Sequence, residues 1–569
     1  MKDKQTMTCA DLLIRLLRDT YGVRALFGIP GVHTVELYRG LEGSDVQHIT
    51  PRHEQGAGFM VDGYARASGK PGVCLIITGP GMTNIATAMG QALADSIPML
   101  VISSVNRRDT LGLGQGRLHE LPSQQQMISG VARFSHTLLD ANTLPEVLAR
   151  AFAVFNGARP GPVHIEIPID LFNAPVNVPV SWQAPTLYRA APDPEGLAEA
   201  ARLLKAAKQP LVLLGGGCVS APEAARALVE QLDAPTVTTI NVKGLLGRDH
   251  PLDLGANAAL PAVRALAAKA DVILAVGTEL GETDYDVVFD DGFHLNGTLI
   301  RIDVDPEQLV RNQRTTLGLV GDAGRSLELL LMHFSEPLKR QGGERTATAL
   351  NALDLANDPA FSDFVPLYAT LADHLPNAIL VGDSTAPVYA GNHLVSQPAP
   401  RRYFNASTGY GTLGYGLPAA LGAQLARPDL PVVALVGDGG VMFTLSELAT
   451  AVEARLPVVI VLWHNAGYEE IRRYMDANGV ARFGVDIQAP NFLTLAEGFG
   501  CPGMLVESPA ELSQALANRV PTGPLLIEID AAAWQRACSP LTRVFPCRHS
   551  IISSSTTSGL HRRAPGCSM

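Results

Sequence analysis

The chain has 569 residues, of which 47% are hydrophobic and 17% are charged, so it can build three or four cores of ordinary domain size. Its formal net charge of −11 and the lack of a basic run argue against a nucleic-acid-binding surface. No apolar stretch reaches membrane-spanning length, and the seven cysteines form no C-x-x-C pair, so we expect a cytoplasmic protein without a membrane partner.

Residues 1–185 alternate strand-like and helix-like segments, which predicts a doubly wound α/β domain. Continuous apolar runs predict buried parallel strands at residues 73–78, 99–103 and 163–167. A short strand near residues 25–27 leads into the turn Gly28-Ile29-Pro30-Gly31, and Gly79-Pro80-Gly81 separates the second strand from a helix.

Residues 172–195 carry five prolines and read as a linker to a middle α/β domain at residues 195–340. Strands are predicted there at residues 211–214, 272–276 and 299–304. Gly215-Gly216-Gly217 could open a dinucleotide site, but the full G-x-G-x-x-G pattern is absent, which favours a tight turn. Residues 336–360 are polar and weakly patterned, so we expect a second linker.

A third α/β domain, residues 361–534, contains two apolar runs at residues 432–436 and 458–463 that flank a helical spacing. Gly437-Asp438-Gly439-Gly440 follows the first run, and His464-Asn465-Ala466-Gly467 follows the second. An isolated Asp-Gly is usually a turn, but carboxyl ends of neighbouring parallel strands are where such sheets bind ligands. Glycines let the backbone approach a phosphate, and Asp438 and Asn465 offer hard oxygen ligands that suit Mg²⁺ held against a diphosphate.

The tail, residues 535–569, includes a Ser/Thr-rich stretch and three of the seven cysteines. No apolar period predicts a packed element, so we expect disorder. A zinc site formed by these cysteines with His549 or His561 is the alternative, although the spacing matches no familiar pattern.

The two glycine-containing clusters resemble the diphosphate-binding motif of thiamine diphosphate enzymes, and the wider chain, residues 8–534, resembles the acetolactate synthase group. The resemblance implies three domains in the order pyrimidine-binding, middle and diphosphate-binding, with thiamine diphosphate and Mg²⁺ as cofactors. It implies Asp438, Asn465 and the carbonyl of Gly467 as metal ligands, with Gly437, Gly439 and Gly440 beside the diphosphate. His464 departs from the family, which has asparagine there.

The same resemblance extends to the two rings of the cofactor. Arg52-His53-Glu54-Gln55-Gly56-Ala57 resembles the family's glutamate motif, so Glu54 is implied as the carboxylate that promotes the imino tautomer of the aminopyrimidine. The segment at residues 409–420 resembles the family stretch that places a bulky side chain beneath the thiazolium, here Leu413. Candidate contacts to polar cofactor atoms are hydroxyl residues that could equally be helix caps: Ser384, Thr385, Ser407 and Thr408.

Three motifs depart from acetolactate synthases. The family's Phe-Gln-Glu reads Leu118-His119-Glu120, and its Gly-Thr-Met-Gly reads Gly411-Thr412-Leu413-Gly414. Its Gly-Ala-Arg segment, which helps to hold FAD, reads as the acidic stretch at residues 277–284. Replacing a cation by acids disfavours flavin phosphates and favours a positively charged ligand, so FAD is not expected.

These departures resemble the decarboxylases of 5-guanidino-2-oxopentanoate (2-ketoarginine) within the same group, which release CO₂ and 4-guanidinobutanal in arginine catabolism. The resemblance implies that a guanidinium meets acids at the mouth of the site, and charge compensation at a helix N-terminus is the competing account of Glu469 and Glu470. His119 is a candidate for delivering the product proton, against a purely structural role. The implied substrate-binding acids are Glu282, Asp284, Glu469 and Glu470.

Two other functions stay open on the sequence. A carboligase of the acetolactate type would join the product fragment to a second 2-oxo acid, and a non-catalytic homologue would bind the cofactor without turnover. The family places each cofactor between two subunits, which implies at least a homodimer and commonly a homotetramer, with a small 2-oxo acid as the binding partner.

Overall fold

The computed structural model describes residues 7–177, 182–285 and 292–539. The predictions for the tail beyond residue 539, disorder and the zinc alternative, lie outside the described residues. Three parallel sheets organise the described chain, which confirms the predicted α/β class.

The N-terminal sheet has the strand order β2-β1-β3-β4-β6-β5. Strands β3, β4 and β6 lie where continuous apolar runs predicted them, because both faces of this sheet are covered by helices. The strands are β1 (Ala25–Gly28), β2 (Gln47–Ile49), β3 (Gly72–Ile76), β4 (Met99–Val105), β5 (Phe134–Thr137) and β6 (Pro162–Pro168). The helices are α1 (Cys9–Arg15), α2 (Val35–Arg39), α3 (Glu54–Ser68), α4 (Pro80–Ala94), α5 (Gln124–Ser129) and α6 (Leu144–Gly157).

The middle sheet has the order β11-β10-β9-β7-β8. After β7 the three glycines form a tight turn, where a Cβ on Gly217 would lie 2.8 Å from the Cα of Gly277. The strands are β7 (Leu211–Leu214), β8 (Thr236–Thr238), β9 (Val272–Val276), β10 (Thr298–Asp303) and β11 (Leu317–Val320). The helices are α7 (Pro194–Ala206), α8 (Pro222–Leu232), α9 (Pro261–Lys269), α10 (Glu282–Tyr285), α11 (Ala323–Leu331) and α12 (Gly342–Leu353).

The C-terminal sheet has the order β13-β12-β14-β15-β17-β16. The strands are β12 (Ile379–Gly382), β13 (Tyr403–Asn405), β14 (Val432–Gly437), β15 (Val459–His464), β16 (Gly503–Val506) and β17 (Leu525–Asp530). The helices are α13 (Val365–His374), α14 (Ala386–Leu394), α15 (Gly416–Ala426), α16 (Asp438–Val441), α17 (Glu447–Glu453), α18 (Glu469–Ala477), α19 (Phe492–Phe499), α20 (Pro509–Ala517) and α21 (Ala531–Cys538).

Two predicted boundaries are wrong. The expected linker at residues 336–360 contains α12, whose Ala349 packs into the core of the middle domain. Its buried stripe also includes a glycine and a threonine, so hydrophobic periodicity was too weak to reveal it. The prediction of an unpacked segment is wrong for its first residues, because α21 continues to the buried Cys538.

Helices α3 and α15 join the N-terminal and C-terminal domains in close contact. A Cβ on Gly63 would lie 1.9 Å from the carbonyl oxygen of Ala419, and one on Gly422 would lie 1.8 Å from that of Met60. Glycine is therefore required on both helices for this backbone approach. Among the described residues, no helix combines the length and apolar composition needed to cross a membrane.

Candidate active site

Three oxygen atoms converge where β14 and β15 end. Asp438 is the first residue of α16, and one of its carboxylate oxygens accepts the N–H of Gly467 at 3.2 Å. The side-chain oxygen of Asn465 lies 3.2 Å from Asp438 Oδ1 and 3.0 Å from the carbonyl oxygen of Gly467. The structure thus brings together the three predicted metal ligands.

The Asn465 amide has two possible orientations, because its oxygen and nitrogen are nearly isosteric. Rotated by half a turn, the nitrogen would donate to both neighbouring oxygens. In the orientation that the structure shows, the oxygen faces two other oxygens, an arrangement that is unfavourable unless a cation lies between them. Oxygens bound to octahedral Mg²⁺ at about 2.1 Å are about 3.0 Å from their neighbours, and the two separations from the Asn465 oxygen are close to that distance.

The glycines at the end of β14 and in α16 pack closely against protein side chains. A Cβ on Gly437 would lie 2.8 Å from Thr385 Oγ1, and one on Gly439 would lie 2.6 Å from the ring of Tyr468. Gly440 faces the carboxylate of Asp383. These positions therefore favour glycine, and the turn lies beside the Thr385 hydroxyl.

The loop that carries Leu413 is held on both sides of that residue. The carboxylate of Asp383 accepts the N–H of Gly414 at 2.9 Å, and burial raises the pKa of Asp383 to about 6. Thr444 Oγ1 donates to the carbonyl oxygen of Gly414 at 2.7 Å. On the other side, Thr412 donates to Gln91 Oε1 of the N-terminal domain at 2.9 Å. Leu413 itself stays half-buried, so its side chain can support a bound ring.

Glu54 is the first residue of α3, and its carboxylate accepts a hydrogen bond from the Asn84 amide at 2.9 Å. The turn before it is fixed by Glu447 of the C-terminal domain. One Glu447 oxygen accepts the N–H groups of Arg52 and His53 at 3.0 and 3.1 Å. The sequence does not reveal this role of Glu447, because no local pattern signals a partner 395 residues away.

Two of the other predicted hydroxyls are already bonded within the protein, whereas the buried Ser384 hydroxyl has no hydrogen-bond partner among the described residues. Ser407 Oγ donates to Asn405 Oδ1 at 2.6 Å, and Thr408 Oγ1 donates to both oxygens of Asp95 at 3.1 Å. Of the predicted hydroxyls, Thr385 is the one that lies directly against Gly437.

The four predicted substrate acids lie in two places. Glu282 and Asp284 are on α10 of the middle domain, where Asp284 is half-buried and accepts the N–H of Ile240 at 3.1 Å. Glu469 and Glu470 open α18 just after Gly467. Glu469 forms ion pairs with Arg472 and Arg473 at 3.0 and 3.1 Å, whereas Glu470 is exposed and forms no ion pair among the described residues.

Asp284→Asn should raise the melting temperature at neutral pH. Burial raises the pKa of Asp284 to about 6 from an ordinary value of 3.8. The folded carboxyl therefore holds a proton that the unfolded one has lost, so the folded state loses stability as pH rises through this window. The asparagine keeps an acceptor for Ile240 and removes the buried charge, which should stabilise the fold by about 1–2 kcal/mol at pH 7.5.

The measurement is thermal unfolding at a series of pH values. The gain should vanish below about pH 4, where both states are protonated. Asp373→Asn, at an exposed position on α13, is the control and should give no pH-dependent difference. An Asp284→Asn variant less stable than wild type at pH 7.5 would contradict the assignment of a destabilising charge.

The fold and the site define a thiamine diphosphate enzyme. The N-terminal TPP binding domain, central domain and C-terminal TPP binding domain of the thiamine pyrophosphate enzymes match residues 7–127, 197–330 and 383–529. The chain belongs to this family.

Known proteins are similar to this chain over nearly its whole length. A protein of Pseudomonas aeruginosa, named as the probable 2-ketoarginine decarboxylase AruI, is 44% identical over 93% of this chain and 95% of its own length. Acetolactate synthase isozyme 1 large subunit of Escherichia coli K12 is 31% identical over 94% and 95%. An X-ray structure from Mycobacterium smegmatis, described as a thiamin diphosphate-dependent enzyme, matches 92% of this chain and 99% of its own with a TM-score of 0.80 and 25% identity.

Proposed function

We propose that the protein decarboxylates 5-guanidino-2-oxopentanoate to 4-guanidinobutanal and CO₂, with thiamine diphosphate and Mg²⁺, in the cytoplasm. The observation that carries the substrate assignment is the 44% identity to the P. aeruginosa protein over almost both full lengths. The cofactor assignment is supported by the convergent oxygens at Asp438, Asn465 and Gly467.

Each part of the site has a separate task in this reaction. Bound thiamine diphosphate supplies the electron sink for breaking the bond to the carboxylate carbon. Asp438, Asn465 and the Gly467 carbonyl hold Mg²⁺, and the residue 437–440 backbone accommodates the diphosphate. Glu54 holds or releases a proton at the pyrimidine ring, and Leu413 supports the thiazolium.

We propose that two chains complete the site, as the resemblance to the family implies. Glu54 contacts Asn84 near the start of α4, whereas the Leu413 loop contacts Gln91 near its end. Seven residues of helix separate these contacts by about 10 Å, so Glu54 and the Leu413 loop lie against different ends of α4. Two exposed apolar side chains support a homodimer as the smallest active unit. Leu118, 59% exposed, lies near the Glu54 side of the site, and Phe443, 56% exposed, lies near the Leu413 loop. Light scattering would test whether the protein forms a tetramer.

We expect Glu470 to recognise the guanidinium. It lies three residues beyond Gly467, is exposed, and is near enough to Tyr389 to contribute to the raised pKa of that phenol, for which burial is the main cause. Glu469 is a weaker candidate because its carboxylate is already paired with two arginines. A bidentate guanidinium–carboxylate contact contributes about 1.5–3 kcal/mol when partly desolvated.

Glu470→Gln should therefore lower kcat/KM for 5-guanidino-2-oxopentanoate by about 10- to 100-fold and leave 2-oxoheptanoate turnover unchanged. The reason is that the substitution removes a remote binding charge and none of the groups around the reacting carbon. The measurement is steady-state aldehyde formation with both substrates. Glu469→Gln is the matched control in the same helical turn and should change the ratio of the two kcat/KM values by less than about threefold.

The alternative is an acetolactate-type carboligase acting on pyruvate, which the identity of about 30% to acetolactate synthases supports. Product analysis separates the two functions: pyruvate alone would give acetolactate rather than an aldehyde. If the kcat/KM of wild-type enzyme for pyruvate or 2-oxoheptanoate equals that for the guanidino substrate, the charge-recognition proposal fails.

A further inference from the structure

The Leu413 loop, residues 408–414, depends on outside contacts to hold one conformation. Gly411 and Gly414, which flank Thr412 and Leu413, have φ angles of 71° and 83°, in the left-handed region that glycine enters freely. A Cβ placed on Gly411 would have no atom within 4 Å, so packing does not fix that position. The position of Leu413 is therefore set by the surface on which the loop rests.

That surface is the C-terminal half of α4. A Cβ on Gly90 would lie 2.6 Å from the ring of Tyr410, so the absence of a side chain at Gly90 lets the loop approach the helix. A Cβ on Gly409 would lie 3.2 Å from the Cβ of Ala94. Helix positions 90, 91, 94 and 95 share one face, so the polar side chains of that face also meet the loop.

Three hydrogen bonds give the Gln91 side chain one orientation. Its Oε1 accepts the N–H and the hydroxyl of Thr412 at 3.3 and 2.9 Å, and its Nε2 donates to Asp95 Oδ2 at 2.7 Å. The two ends of an amide are nearly isosteric, so the partners decide which end faces which. The carboxylate of Asp95 accepts and therefore selects the NH₂ end, which leaves Oε1 for the two donors of Thr412. Because Gln91 is fully buried, the opposite orientation would leave donors facing donors at a high cost.

Asp95 receives hydrogen bonds from all three domains. Its side chain is 4% exposed and accepts Nη2 of Arg66 at 2.6 Å, which offsets the buried charge. The amide of Asn241 in the middle domain donates to it at 3.2 Å, and the hydroxyl of Thr408 in the C-terminal domain donates at 3.1 Å. Asp95 thus holds the start of the Leu413 loop directly, through Thr408, and its later part through Gln91.

We propose that Asp95 and Gln91 are positioning residues that hold Leu413 where it supports the thiazolium of the cofactor. This inference rests on the role of Leu413 in the proposed function. Asp95 orients the Gln91 amide, the amide holds Thr412, and Thr412 precedes Leu413. Without this support the loop would carry a bound thiazolium poorly, so loss of the proton from C2 should slow while the diphosphate stays bound.

The first test uses the full chain without cofactor and follows amide hydrogen exchange of the Leu413 loop. Gln91→Leu should speed exchange of the Thr412 amide by about 10-fold or more, because it removes the acceptor of that N–H. Asp95→Asn should speed exchange at the same amide, because the Gln91 side chain is then free to turn over. The double variant should exchange no faster at Thr412 than Gln91→Leu alone, since Asp95 acts on this amide through Gln91.

Gln424→Leu is the matched control. Gln424 is also buried, and its amide donates to the carbonyl oxygens of Arg427 and Leu430, both at 3.1 Å. This variant should leave exchange of the Thr412 amide unchanged. Wild-type exchange at Thr412 in Gln91→Leu, or effects that multiply in the double variant, would overturn the proposal.

The second test compares two properties of the protein loaded with thiamine diphosphate and Mg²⁺: hydrogen–deuterium exchange at C2 and the dissociation constant of the cofactor. Gln91→Leu and Thr412→Val should slow C2 exchange by about 10-fold and change the dissociation constant by less than about threefold. Thr412→Ser keeps the hydroxyl donor and should recover C2 exchange to within about threefold of wild type.

Two results of the second test would point to a general structural role and overturn the proposal. One is an equal loss of cofactor affinity and C2 exchange, and the other is the same slowing in Thr412→Ser as in Thr412→Val. Exchange at C2 needs no substrate. If the wild-type protein decarboxylates no 2-oxo acid, the proposed function fails, while both tests still decide whether Asp95 and Gln91 position Leu413.

Discussion

Glu54→Gln should reduce turnover by about 100-fold or more and leave cofactor binding nearly unchanged. The substitution keeps the size of the side chain and an acceptor for Asn84, which donates to Glu54 at 2.9 Å, but it removes the carboxylate that exchanges a proton with the pyrimidine ring. The direct measurement is hydrogen–deuterium exchange at C2 of bound thiamine diphosphate, which should slow in parallel with turnover.

Two comparisons make this prediction specific. Glu42→Gln changes an exposed carboxylate of the same domain and should affect neither exchange nor turnover. Glu447→Gln weakens the acceptor for the Arg52 and His53 amides, so it should lower the exchange rate by a smaller factor through misplacement of Glu54. Wild-type exchange in Glu54→Gln would remove Glu54 from its proposed role.

The parts of the fold that the sequence predicted are those with a local signal. Val432–Gly437 and Val459–His464 are buried on both faces, so their apolar runs are continuous and their polar carboxyl ends stand out. The convergence of Asp438, Asn465 and Gly467 follows from that register, because adjacent parallel strands end at the same edge.

The missed features depend on contacts between distant segments. Glu447 and Asp383 are buried carboxylates whose partners are backbone amides. Because a backbone N–H does not depend on the side chain, the partner segment has no residue type that would reveal the contact. The ring contact between His33 and His119 joins two loops 86 positions apart in numbering, so the sequence singled out His119 but not its neighbour. Helix α12 was missed for a different reason, since its buried stripe of Gly342, Thr346 and Ala349 hardly differs from a polar linker.

Asp438→Ala should abolish stable, Mg²⁺-dependent retention of thiamine diphosphate. The substitution removes the anionic member of the oxygen set, and the remaining amide and carbonyl oxygens are neutral. Mg²⁺ keeps its bound waters unless a carboxylate offsets the cost of dehydration. The dissociation constant of thiamine diphosphate, measured with Mg²⁺ present, should therefore rise by about 100-fold. Cofactor content after gel filtration, with and without chelator, measures this loss. Asp429→Ala, at an exposed partner of Arg427 in the same domain, is the control and should retain wild-type cofactor content.

Asn465→Asp separates a metal site from an ordinary hydrogen bond. In either amide orientation the new carboxylate lies 3.0–3.2 Å from two other oxygens, and it repels them until a cation lies among them. The variant should then melt below wild type in chelator and gain more than wild type does from Mg²⁺ and cofactor together, by a few degrees. If Mg²⁺ binds elsewhere in the protein, it should not restore the stability of the variant. Two results together would place the metal site elsewhere in the chain. These are a loss of stability in Asn465→Asp that Mg²⁺ does not restore, and full cofactor content in Asp438→Ala.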